Sequence, residues 1–84
     1  MKKEINTVSD VEEFFRYLRD ERKVAFHPDD DFCCYINRDT GEPTFTDEEV
    51  ATFNAMMNQC FDVCETNGKD IYEIGCAVLF QIIQ

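Results

Sequence analysis

The stretch Phe32-Cys33-Cys34-Tyr35-Ile36-Asn37-Arg38-Asp39-Thr40-Gly41-Glu42-Pro43-Thr44-Phe45 decides the fold class. Residues 32–37 are rich in the aromatic and β-branched types that favour strands. Arg38-Asp39-Thr40-Gly41 then signals a turn, with Gly41 free to take a positive φ. Pro43-Thr44-Phe45 returns as a second short run, and Pro43, which has no amide hydrogen, belongs on an edge. The pattern predicts a two-stranded antiparallel hairpin. A lone hairpin is marginal in water and must pack on helices. The expected fold is therefore α+β, three helices with a short antiparallel β-hairpin packed on one side. The alternative is an all-α fold with an irregular 24–45 loop.

On the amino-terminal side, Ser9-Asp10-Val11-Glu12 reads as a capping box. Val11, Phe14, Phe15 and Leu18 follow at i, i+3, i+4 and i+7, which is one apolar stripe and predicts a helix over 10–22. Arg16, Arg19 and Lys23 share another face. They are expected to dock on the chain's own acidic half or to stay solvated, since paired surface charges need no functional explanation. Val24-Ala25-Phe26 is short and apolar, and His27-Pro28 stops any helix because a proline disfavours α geometry in the residue before it.

On the carboxy-terminal side, Thr46-Asp47-Glu48-Glu49 is a second capping box with acids at the positive end of the helix dipole. Val50, Phe53, Met57, Phe61 and Cys64 form its stripe, widened by Met56 and Cys60, and a helix over 47–66 follows. Asn67-Gly68 signals its end. Asp70 opens a third helix with Ile71, Ile74, Val78 and Ile82 on one face. Cys76, Leu79, Phe80 and Ile83 make its other faces apolar too. Such a helix is either the centre of the fold or meets another chain on its second face. Leu79, Phe80 and Ile83 are accordingly the candidate face of a homodimer.

The chain has 84 residues, the size of one domain spanning 1–84. Hydrophobic residues make up 44% of it, the share of a folded protein rather than a disordered one. Its order of elements looks like that of small bacterial proteins. The net charge is −10 and is unevenly placed. Residues 1–23 carry six basic and six acidic groups, so the whole imbalance lies in 24–84, where only Arg38 and Lys69 are basic. That field repels phosphate backbones, so direct nucleic-acid binding is not expected. The longest apolar run, Ile74 to Phe80, is far shorter than the roughly 20 residues a bilayer span needs. Five cysteines and no apolar leader point to reduced thiols and a cytoplasmic setting.

Three constellations carry chemistry. The first is acidic. Asp29, Asp30, Asp31, Glu48 and Glu49 form the expected partner-binding surface, suited to a protein partner of basic charge. The leading function is a non-enzymatic interaction module, and a weaker alternative is a DNA-mimicking inhibitor. The frame from Asn37 to Glu48 fails as a calcium loop, because Gly41 falls at position 5 and Thr44 at position 8. The second constellation joins His27, Asp29 to Asp31 and Cys33 or Cys34 as an alternative metal- or thiol-dependent site. It lacks a C-x2-C knuckle and any spacing that fixes a Cys–His pair. No cofactor and no stoichiometric zinc or calcium are expected. The third is Cys60, Cys64 and Cys76, expected to pack as buried small hydrophobes, which leaves Cys33 or Cys34 as the exposed thiol. No nucleophile elbow, phosphate-cradling glycine loop or H-E-x-x-H is present, so no catalytic residue is assigned.

Overall fold

The computed structural model describes residues 4–37 and 39–80. Three helices, α1 (Val8–Asp20), α2 (Asp47–Thr66) and α3 (Ile71–Phe80), pack on one another, with a 3-10 turn at Phe32–Cys34 seated on α2. The fold is mostly all-α, 61% helical, and no β-strand or sheet occurs among the described residues. The α+β expectation is therefore corrected. The 24–45 segment is an irregular loop that carries one antiparallel bridge, Ile36 to Pro43.

Local hydrogen bonding explains why the hairpin does not form. The Asp31 carboxylate accepts from the Cys33 amide at 3.0 Å, and the Cys34 amide donates to the Asp31 carbonyl at 3.0 Å, which winds 32–34 into a turn. The Tyr35 amide then donates to the Phe32 carbonyl. It is thereby diverted from the Thr44 carbonyl, which a ladder would have offered it. Two cross-links survive, Asn37 amide to Glu42 carbonyl at 2.8 Å and Thr44 amide to Tyr35 carbonyl at 2.9 Å. Pro43 faces Ile36 at the non-hydrogen-bonded position between them, where its missing donor costs this pair nothing. Strand propensity was outcompeted by one aspartate side chain capping a turn.

The helices follow the apolar stripes. In α1, Val11, Phe14, Phe15 and Leu18 are buried as expected, but the helix begins and ends two residues early. Thr7, not Ser9, is the cap: its hydroxyl accepts from the Asp10 amide, and the Asp10 carboxylate accepts in return from the Thr7 and Asn6 amides. Lys23 takes a φ of +54°, a left-handed conformation that ends any continuation of the helix. Helix α2 has the predicted bounds and the predicted Thr46–Glu49 capping box. Its end is a Schellman motif, with the Lys69 amide donating to the Cys64 carbonyl and the Gly68 amide to that of Glu65, around Gly68 at φ +66°.

Helix α3 departs most from expectation. Asp70 caps it through the Tyr72 amide, and Ile71, Gly75 and Val78 are buried against α1 and the 26–28 segment. Gly75 makes that close approach possible: a Cβ there would lie 3.6 Å from Phe26, 3.7 Å from Pro28 and 3.8 Å from Phe15. The helix is not the buried centre of the fold, since Tyr72, Cys76 and Phe80 are exposed and Ile74 and Leu79 only half-buried. The expectation that Cys76 is buried is corrected with it, because none of the described residues packs over its face. Ile82 and Ile83 lie outside the described residues.

The core is aromatic. Phe32 stands between α1, α2 and the loop, its ring centroid 6.4 Å from Phe14, 5.5 Å from Phe53 and 5.4 Å from Phe45. Arg22 seals the rim, with its guanidinium 4.7 Å above the Phe45 ring and paired to Glu49. No helix among the described residues is long and apolar enough to cross a membrane.

Candidate interaction site

Each of the three consecutive aspartates is bonded to a different part of the fold. The turn itself is set by the Asp30 amide donating to the His27 carbonyl at 3.0 Å, with Pro28 buried beneath it. Asp29 accepts from the Tyr72 hydroxyl of α3 at 2.7 Å. Asp30 accepts from the Tyr35 hydroxyl at 3.2 Å. Asp31 accepts from the Asn54 side-chain amide of α2 at 2.9 Å, while the Asn54 carbonyl oxygen takes the Phe32 amide at 3.1 Å.

The three aspartates line an open cleft of about 420 Å³ together with Asn54, Met57, Asn58 and Phe61 of α2. Met57 is buried and Phe61 half-buried, so the surface that the cleft offers is mainly polar, with Phe61 at its edge. All three aspartates are exposed, and among the described residues no lysine or arginine pairs with any of them. Among the described residues the basic group at ion-pair distance is His27, whose Nδ1 lies 4.0 Å from the Asp29 carboxylate and accepts from the Asp29 amide. The amide of Cys33, then that of Asn54, holds the Asp31 carboxyl below its ordinary range. The carboxylate of Asp29, hydrogen-bonded to Tyr72, pushes that phenol up.

The other proposed acids lie elsewhere. Glu49 reaches back to the Thr46 amide and pairs with Arg22, whose hydrogen bond, with that of the Thr46 amide, holds its carboxyl down at about 2. Glu48 is exposed in the first turn of α2, and neither glutamate lines the cleft. The structure thus brings Asp29, Asp30 and Asp31 together and leaves Glu48 and Glu49 apart. Of the candidate dimer face, Phe80 is 62% exposed and Leu79 half-buried, while Ile83 lies outside the described residues. The basic residues of α1 are engaged within the chain: Arg16 with Glu12, and Arg19 with Asp20 and, at 2.8 Å, the Val78 carbonyl of α3.

The cysteines divide by exposure. Cys60 and Cys64 are buried, and burial pushes the Cys60 thiol up to about 12. Cys33 and Cys34 are both exposed, where strand geometry would have put them on opposite faces. No hydrogen bond joins His27 to either thiol among the described residues, and no three His, Cys, Asp or Glu there come together to hold a metal ion. Sequence reasoning missed Asn54, Tyr35 and Tyr72, which fix the aspartates. Asn54 left a trace: it interrupts the apolar stripe of α2 beside Phe53 and Met57, where a half-buried amide must find partners.

No family model, no curated protein and no solved structure matches the chain.

Proposed function

We propose that the chain is a small non-enzymatic interaction module that takes a basic segment of a protein partner into the Asp29–Asp31 cleft. The observation that carries this reading is the row of three exposed carboxylates beside the half-buried Phe61, with no lysine or arginine paired to them among the described residues. A lysine or arginine lays its aliphatic stem on an apolar surface and presents its charge to carboxylates beyond it. Each ionised carboxylate has about four acceptor sites, so the internal bonds to Tyr72, Tyr35 and Asn54 leave capacity for a ligand. The net charge of −10 draws a basic partner in and turns a phosphate backbone away. Five free cysteines support a reducing, cytoplasmic setting for this encounter.

The test is fluorescence anisotropy with a labelled peptide rich in lysine and arginine, against a neutral peptide of equal length. Exposed ion pairs contribute roughly 0.2–1 kcal/mol each, so Asp29→Asn, Asp30→Asn and Asp31→Asn combined should weaken binding about 3–150-fold. Asparagine keeps an acceptor oxygen at each place, so circular dichroism should not change. Equal affinity for both peptides, or an unaltered affinity in the triple variant, contradicts the proposal.

A further inference from the structure

Cys33 and Cys34 are neighbours in sequence, both exposed on the 3-10 turn, with their Sγ atoms 3.9 Å apart. A tetrahedral metal ion with two bonds to sulfur of about 2.3 Å, at an angle of about 109°, spans a sulfur–sulfur distance of about 3.8 Å. The pair therefore already has the bite of a chelate. A disulfide would instead need the sulfurs at about 2.0 Å, and the turn does not hold them there. Three bonds set the turn's shape: Asp31 side chain to Cys33, Asp31 carbonyl to Cys34, and Asn54 to Phe32. The thiols are thus presented by a backbone fixed before any ion arrives.

We propose that Cys33 and Cys34 form a two-thiolate site for a soft divalent metal ion of the zinc and cadmium class. Thiolate sulfur selects such ions over calcium and magnesium, which take oxygen. Binding joins one ion to both sulfurs and releases two protons, with no change of oxidation state. The ion's remaining positions go to exogenous ligands, because no third His, Cys, Asp or Glu completes a set among the described residues. An open, two-ligand site exchanges its ion, unlike the four-ligand cages of structural zinc. It departs from the sequence expectation that no stoichiometric zinc is bound.

Cadmium alone is the probe, titrated into the reduced full-length chain and followed by the ultraviolet absorbance of the cadmium–thiolate bond. One ion per chain should bind. Cys33→Ser and Cys34→Ser should each weaken it at least about a hundredfold, more than the loss of an outer hydrogen bond costs a metal site. Cys76→Ser and Cys60→Ser should leave it unchanged. Both thiols of the pair are exposed, so their serine variants should keep the wild-type circular dichroism, and either one suffices for the reading. No thiolate absorbance, or a site that survives both variants or disappears with Cys60→Ser, overturns the proposal.

Discussion

Phe32 is the residue that fastens the 24–45 loop to the helices, and replacing it measures how firmly. It is 1% exposed and meets the rings of Phe14, Tyr35, Phe45 and Phe53 at centroid distances between 5.4 and 6.4 Å. Removing such a side chain loses its transfer free energy and leaves a cavity, so Phe32→Ala should cost about 3–5 kcal/mol. At roughly 0.05–0.15 kcal/mol per residue, the whole chain holds only about 4–13 kcal/mol, and this one change takes a large part of it. Urea unfolding followed by far-ultraviolet circular dichroism reads the effect. With a slope near 1.5 kcal/mol per molar urea, the midpoint should fall by about 2–3 M. Phe32→Leu keeps most of the apolar volume and should cost below about 1.5 kcal/mol. If the alanine variant unfolds within about 0.5 M of the wild type, the loop is not anchored through Phe32, and the packing described above is wrong.

Three further outcomes follow from the same packing. Glu49 has its carboxyl lowered from an ordinary 4.5 to about 2, first by the Arg22 hydrogen bond, so its contribution is present above pH 4.5 and is lost as pH falls towards 2. Urea midpoints measured across that window should fall with pH in the wild type and stay flatter in Arg22→Met, and equal slopes would contradict the pairing. Gly75→Ala places a methyl at ordinary contact distance from Phe26, Pro28 and Phe15, so it should stabilise α3 by about 0.5–1 kcal/mol. Gly75→Leu should instead overpack that contact by about 1–3 kcal/mol, and a melting curve that ranks leucine above alanine refutes the close approach. Burying the exposed Phe80 and half-buried Leu79 between two copies contributes up to roughly 1.5–3 kcal/mol per side chain, so the proposed homodimer should appear in light scattering and be abolished by Phe80→Asp, and a single-chain mass at high micromolar concentration excludes it.

Helices were legible where periodicity and caps agree. In α2 the Thr46–Glu49 box, a stripe every three or four residues and Gly68 all point to one segment, and the bounds match. The stripe of α1 was equally plain, but two boxes of equal spacing overlap at its start, Thr7–Asp10 and Ser9–Glu12, and the structure uses the first. The loop was not legible from propensity. Phe32, Cys33, Tyr35 and Ile36 all favour strands, yet Asp31 and Asn54 redirect the backbone through bonds that depend on the tertiary neighbour as well as the local residue. For α3, composition showed that apolar side chains surround it, but the side left open is decided by the space Gly75 makes against Phe26 and Pro28. Of the candidate site, the aspartate row stood out in the sequence. The clamps from Tyr72 and Asn54, 43 and 23 residues away, did not.

The claim that the aspartate cleft receives a basic segment is tested most directly by nuclear magnetic resonance. A lysine- and arginine-rich peptide is titrated into the isotope-labelled chain, and amide shifts are followed residue by residue. The account predicts that the largest shifts fall on Asp29, Asp30 and Asp31 and on the 54–61 turns of α2, and that they fade at 1 M salt, where screening shortens the reach of a charge to about 3 Å. Shifts centred on the exposed face of α3, or none above those from a neutral peptide, would contradict it.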